Sequence, residues 1–244
     1  MGITFKQYIN ESIIDKGILK AIFVVGVPGA GKSYTISQLK GYISPLVVNT
    51  DKATEFISKK TNQPANILTW PSMKKDVQRI TKSQLFHYLN GMLPLFIDGT
   101  SNDTSNILSR AGILESLGYD VGLIFINTSL KTALKRAKER AKKINRIVDE
   151  NFIKRTYKIS QENKEYFKGK FSFFEEINND ENELTNDILL KAFKKVNKFY
   201  TSKIANPVGN RTIQKLKDKN EKYLIPSIFS KETLQKKIDG WYRS

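Results

Sequence analysis

The chain has no cysteine and a single histidine, His87, in 244 residues. These absences exclude a disulfide framework, a thiolate zinc centre, a cysteine nucleophile and a multi-histidine metal site, and they suit a reducing compartment. Long apolar runs are also missing. The longest, Ala21–Val25 and Val121–Ile126, fall far short of the roughly 18 residues a membrane span requires, so no membrane association is expected. Acidic residues are scarce, 24 against 41 Lys and Arg, leaving a net charge of +17.

That charge is unevenly spread. Eleven Lys/Arg face three Asp/Glu over residues 131–160, and fourteen face four over 191–244, while eight acids outnumber three bases over 161–190. Basic blocks of this kind suit a polyanion such as DNA or RNA, because each neutralised phosphate releases condensed counterions. A coding bias toward Lys, Asn and Ile would give the same composition without a partner.

What the chain does contain is Gly26-Val27-Pro28-Gly29-Ala30-Gly31-Lys32-Ser33, between the apolar run Ala21–Val25 and a helix-like segment from Tyr34. Glycines at this spacing let the backbone curl so that successive N–H groups meet phosphate oxygens, and the following helix adds its positive end. The pattern predicts a nucleoside triphosphate, ATP or GTP, contacted by Gly26, Pro28, Gly29, Ala30, Gly31, Lys32, Ser33 and Tyr34. Lys32 is expected on the β/γ-phosphates and the Ser33 hydroxyl on Mg²⁺.

Around this loop, strands alternate with helices. Apolar runs at 21–25, 46–48, 95–97, 121–126 and 171–177 read as strands. Helices are expected over 3–18, from Tyr34 to Gly41, over 52–58 and 72–90, across Ile107–Leu117, from Thr128 or Ser129 to about Lys143, and over 185–200. The alternation predicts an α/β fold with a doubly wound parallel sheet and helices on both faces, and the glycine loop within it a P-loop NTPase. The expected divisions are an N-terminal amphipathic helix (1–18), a kinase domain (19–204) and a basic C-terminal extension (205–244), opened by the loop Asn206-Pro207-Val208-Gly209-Asn210. Tyr223, Phe229, Trp241 and Tyr242 in that extension either stack bases or pack back onto the core.

Ligands of such a sheet lie at the carboxyl ends of its strands, where the glycine loop, Asp51 and Asp98 fall. Asp51 is the candidate general base toward an acceptor hydroxyl, or alternatively the N-cap of the helix at 52–58. Asp98 is the candidate to hold Mg²⁺ through water or to orient the acceptor. Arg136 and Arg140 share a helix face, and with Arg146 beyond them they predict a mobile lid over the transferring phosphoryl group. Arg140 and Arg146 also join the expected nucleotide contacts.

Taken together these residues resemble the P-loop kinases that include the 5′-kinase domain of bacteriophage polynucleotide kinases and the zeta toxins. The similarity spans residues 20 to about 180. It rests on Gly26–Ser33, Asn49-Thr50-Asp51, Asp98, and Arg136 and Arg140 followed by Arg146-Ile147-Val148. The resemblance implies Asp51 as general base and Arg136 and Arg140 in the phosphate-handling lid. Polynucleotide kinases carry an arginine three residues after the base, where this chain has Thr54. Ile97-Asp98-Gly99-Thr100 is similar instead to the acid-Gly-Thr element of zeta toxins, which phosphorylate a sugar nucleotide. No Asp-x-Asp pair is present, so the phosphatase domain fused to some polynucleotide kinases is not expected.

Two further motifs are weaker. Residues Ile3 to Glu11 resemble the capsid-targeting peptide of tailed-bacteriophage internal proteins, which implies cleavage after Glu11. Lys237-Ile238-Asp239-Gly240 spells the nucleic acid ligase motif, but only four residues follow it, too few for an adenylation domain. The expected function is an ATP- and Mg²⁺-dependent kinase of a nucleic acid hydroxyl, either a 5′ end or a hydroxymethylated base, acting in the cytoplasm (the host cell's, if phage-encoded). The alternatives are a kinase of a nucleotide sugar or other small molecule, and a nucleic-acid-binding or virion-packaged protein holding ATP as a structural ligand.

Overall fold

The computed structural model describes residues 16–40, 44–64, 69–99, 102–144, 148–180, 185–218 and 229–242. The helix expected over 3–18 falls almost wholly outside them, with 16–19 forming a turn; Glu11, Gly41, Thr100, Arg146 and Tyr223 also lie outside the described residues.

Five strands form one parallel sheet in the order β2-β3-β1-β4-β5. They are β1 (Lys20–Val25), β2 (Leu46–Val48), β3 (Leu95–Gly99), β4 (Asp120–Asn127) and β5 (Phe173–Asn178). The helices are α1 (Lys32–Leu39), α2 (Thr50–Thr61), α3 (Trp70–Asn90), α4 (Thr104–Ser116), α5 (Leu130–Ile144), α6 (Glu150–Lys168), α7 (Asn186–Thr201), α8 (Pro207–Asp218) and α9 (Lys231–Trp241). Every residue of β1 is buried, as a central parallel strand covered on both faces requires.

Because strand side chains alternate, β1 feeds two cores. Phe23 and Val25 join Ile97, Leu123 and Phe125 on the first face, beneath Leu85 and Leu89 of α3 and Leu114 of α4. Ile22 and Val24 join Phe96, Ile124 and Ile126 on the second, beneath Ile36 of α1, Ala133 of α5 and Val196 of α7. The doubly wound parallel fold is thus as expected.

Local differences have physical reasons. No helix was expected between Lys143 and the last strand, yet α6 runs for 19 residues with Asp149 as its N-cap. Two of its buried positions, Thr156 and Ser160, are polar, which blurs the apolar stripe that would reveal it. Phe171, expected to begin β5, precedes the strand and packs against Phe23 and Phe167, their ring centroids each 6.3 Å from its own.

Residues beyond 204 contribute to the first core. Asp120 Oδ2 accepts from the buried Lys20 ammonium at 2.6 Å and from Ala205 N at 2.9 Å, and its Oδ1 accepts from Asn206 N at 2.7 Å. This pins the start of α8 to the amino edge of the sheet. Leu216 of α8 and Leu234, Ile238 and Trp241 of α9 are buried in that core. Trp241 stacks on Phe23, centroids 6.2 Å apart with ring planes 15° from parallel. Among the described residues no helix is long and apolar enough to cross a membrane.

Candidate active site

Past Val25 the chain turns through Gly26–Gly31 into α1. Gly29 and Gly31 have φ of +87° and +86°, a region L side chains rarely adopt. Space forbids a side chain at both as well. A Cβ on Gly29 would lie 2.2 Å from the Ala133 carbonyl oxygen of α5, and one on Gly31 2.2 Å from Asn179 Nδ2 just past β5. Gly31 is the N-cap of α1 and supplies no side-chain cap, so the positive end of the helix faces the loop with no capping side chain in a ligand's way. Lys32 Nζ lies back across the loop, donating to the carbonyls of Gly26 at 2.9 Å and Val27 at 3.3 Å.

The loop opens on a cavity of about 740 Å³ at the carboxyl edge of the sheet. Pro28, Gly29, Gly31, Lys32, Ser33 and the exposed Tyr34 line one side of it. Gly26 and Ala30 sit behind: a Cβ on Gly26 would meet the Ile126 carbonyl oxygen at 2.7 Å, and the Ala30 carbonyl accepts from Asn179 Nδ2 at 2.7 Å.

Asp51 and Asp98 reach the same cavity from neighbouring strand ends. Asn49 joins them. Its Oδ1 accepts from Asp51 N at 2.6 Å, capping α2, and its Nδ2 donates to Asp98 Oδ2 at 2.7 Å. The cap considered for Asp51 therefore belongs to Asn49, and Asp51 lies in the first turn of α2, where the positive helix end favours its carboxylate.

Arg136 and Arg140 both line the cavity from α5. Arg136 Nη1 donates to the Asn179 carbonyl at 2.7 Å. Arg140 Nη2 approaches Glu55 Oε1 at 3.4 Å and Asp51 Oδ2 at 3.9 Å, bringing one helix-face arginine to the candidate base. Arg146 lies outside the described residues.

Arg110 of α4 and Phe152 of α6 line the cavity without having been anticipated there, and Trp241 and Tyr242, expected either to stack bases or to pack on the core, line it from the end of α9. Asn179, which ties the glycine loop to α5 and β5, was also missed. It follows a strand at the carboxyl edge, and the positional rule that marks Asp51 and Asp98 would have found it. Burial holds the Arg110 guanidinium below its ordinary pKa and pushes the Tyr242 hydroxyl above its own.

Beside the cavity, a groove of about 610 Å³ runs between α3 and α9, lined by Lys75, Arg79, Lys82, Phe86 and Lys231 among others. Lys82 Nζ, on the groove, sits 2.9 Å from Asp239 Oδ1 and 5.5 Å from the centroid of the ring of Tyr242, which lines the cavity. Among the described residues no cluster of three or more His, Cys, Asp or Glu could cage a metal. Ser33 and Asp98 on one cavity fit a different arrangement, Mg²⁺ held by one or two protein groups and by substrate phosphates.

A phosphate loop after the central strand, carboxylates at two neighbouring strand ends and arginines from the helix after β4 define a P-loop phosphotransferase of kinase type. The Zeta toxin family model matches residues 12–188, and the chain belongs to that family. Among solved structures it is similar to a candidate kinase from Chloroflexus aurantiacus J-10-fl, with 12% identity and a TM-score of 0.53 over 74% of this chain and 97% of that one. It is also similar to a chain of the Pnkp1/Rnl/Hen1 RNA repair complex, with 17% identity, a TM-score of 0.49 and coverage of 63% and 46%. Shikimate kinase from Acinetobacter baumannii matches at 13% identity with a TM-score of 0.44, over 75% of this chain and 93% of that one. Comparison with curated proteins returns no match.

Proposed function

We propose that this kinase transfers the γ-phosphate of ATP to a hydroxyl on DNA or RNA, at a 5′ end or on a hydroxymethylated base. The observation that carries the acceptor is the basic groove of Lys75, Arg79, Lys82 and Lys231, whose Lys82 lies against the ring of the cavity-lining Tyr242. A polyanion lying there would meet Lys75 and Lys231 beside Arg79 and Lys82, which already sit against Asp76 and Asp239, and its end would point toward the cavity.

In this reading Asp51 accepts the acceptor hydroxyl proton as that oxygen attacks the γ-phosphorus. The bond from γ-phosphorus to the bridging oxygen breaks, and ADP leaves. Lys32, Arg136 and Arg140 stabilise the charge spread over the transferring group, so positioning and electrostatics do the catalysis. Ser33 and, through water, Asp98 would hold Mg²⁺, which neutralises phosphate charge when bound. A second reading, transfer to a nucleotide sugar, is favoured by membership of the Zeta toxin family.

The test is transfer of label from γ-labelled ATP to 5′-hydroxyl DNA and RNA oligonucleotides, hydroxymethyluracil DNA, nucleosides and UDP-N-acetylglucosamine, with Asp51→Asn as control. Label on an oligonucleotide, lost in the control, supports the proposal. Label on a small molecule alone overturns the nucleic acid acceptor in favour of the second reading.

A further inference from the structure

One wall of the cavity comes from neither the glycine loop nor α5. Arg110, in the middle of α4, supplies it together with Trp241 and Tyr242. Helical side chains lean toward the N-terminus, which carries Arg110 up α4 toward the carboxyl edge of the sheet. There its Nε donates to the Trp241 carbonyl at 3.2 Å, and its Cζ lies 5.1 Å from the Trp241 ring centroid. Trp241 is itself 2% exposed and stacked on Phe23. The guanidinium plane is therefore held by an aromatic stack rooted in the core.

This cation is under-compensated. Among the described residues no carboxylate lies within ion-pair distance of it; the groups that act on it electrostatically are first the Tyr242 hydroxyl and then Asp103, at the exposed N-cap of α4. Partial burial makes such a charge costly until an anion meets the fork, and a planar guanidinium matches phosphate oxygens two at a time.

The approach also separates Arg110 from the nucleotide. α1 and α5, which bear Lys32, Arg136 and Arg140, pack on the second face of the sheet. α4 and α9 pack on the first, with Asp98 at the end of the strand between. We propose that Arg110 binds a phosphate group of the acceptor, so that the preferred acceptor is a phosphate-bearing nucleotide unit and not a neutral nucleoside or free sugar. The inference rests on the kinase reading above. The phosphate belongs either to the nucleic acid backbone next to the acceptor hydroxyl or to the diphosphate of a nucleotide sugar.

Equilibrium titration of the full chain tests it without turnover. The probes are a nucleoside, its 3′-monophosphate, a short 5′-hydroxyl oligonucleotide, UDP-N-acetylglucosamine and ATP, each against wild type, Arg110→Gln and Arg110→Lys. The expected result in Arg110→Gln is an approximately 10- to 100-fold loss for at least one phosphate-bearing acceptor probe, the scale of a lost charged hydrogen bond, with nucleoside and ATP affinities unchanged. Arg110→Lys, which keeps the charge and loses the fork, should fall between the two, and thermal melting checks that both variants fold. Equal losses for nucleoside and nucleotide would mark Arg110 as structural and overturn the proposal, as would unchanged binding of every phosphate-bearing probe. Loss confined to the nucleotide sugar would keep Arg110 and overturn the nucleic acid acceptor. Phosphorylation of the oligonucleotide by both proteins, with no phosphate-bearing probe losing affinity in Arg110→Gln, would overturn Arg110 and keep the nucleic acid acceptor.

Discussion

Asn49 Nδ2 donates to Asp98 Oδ2 at 2.7 Å, while the other end of the same amide caps the helix that carries Asp51. One buried side chain thus links two carboxylates, one in the first turn of α2 and one on β3. Asn49→Ala should cost about 1 kcal/mol through the lost cap. It should also lower kcat while leaving the KM for ATP near its original value, because the glycine loop is not touched. Thermal melts and steady-state kinetics read the two effects separately; a raised KM for ATP with normal kcat would contradict this role.

The glycine loop offers a sharper comparison. Gly29→Ala and Gly31→Ala both place a Cβ where φ is positive, but they meet different neighbours. At Gly29 the obstacle is the backbone oxygen of Ala133, and at Gly31 it is the side-chain amide of Asn179. Each single variant should lose ATP binding by at least about tenfold, the scale of 1.4 kcal/mol. Adding Asn179→Ala should partly restore binding to Gly31→Ala and do nothing for Gly29→Ala. Titration of ATP into the four variants settles the matter.

These contrasts also explain what was legible beforehand. The glycine loop, Asp51 and Asp98 each sit beside a buried strand, so a local pattern places them at the carboxyl edge. Arg136 and Arg140 share a face by helical spacing alone. Arg110 has no such signal: on α4 it reads as a solvated residue until Trp241, far along the chain, arrives over it. The cap that Asn49 makes was offered to Asp51 as the alternative to its role as base, because either residue type caps helices. α6 was missed because a buried Thr156 and Ser160 look polar in any window.

At the opposite edge of the sheet, Lys20 and Asp120 form a buried pair with side chains 2% and 10% exposed. Asp120→Ala should cost roughly 3–5 kcal/mol, because it leaves the buried ammonium on the Ser202 hydroxyl and Lys203 carbonyl with no countercharge and releases Ala205 and Asn206. Lys20→Met should cost less, since Asp120 keeps its two backbone donors. Urea unfolding distinguishes the cases, and equal costs would mean those backbone contacts contribute nothing.

Asp103 supplies the pH dependence. The Asn106 amide and the Ser105 hydroxyl hold its carboxyl below the usual value. A lowered folded pKa means stability that is present above the unfolded value, about 3.9, and lost as pH falls through the folded one. Asp103→Ala should therefore destabilise by about 1 kcal/mol near neutrality, the usual cost of a lost cap. The gap to wild type should narrow only below about pH 4, as the wild-type cap itself becomes protonated. A gap that closed already between pH 7 and 5 would point to a histidine or another group.

Trp241 decides whether residues 205–244 can be spared. Its ring stacks on Phe23 of the central strand, and Leu234 and Ile238 of the same helix are buried beside α3 and α4. Trp241→Ala should cost about 3–5 kcal/mol, as large aromatic truncations in cores do. A chain ending at residue 204 would lose Ile213, Leu216, Leu234, Ile238 and Trp241 from the first core, and it should fail to unfold cooperatively in urea. ATP affinity of the folded Trp241→Ala protein should stay close to wild type, because α1 packs on the other face of the sheet. Acceptor affinity should fall, since the wall that holds Arg110 is gone. A truncated chain that melted cooperatively and kept ATP binding would instead make the last two helices an accessory to an independently stable sheet.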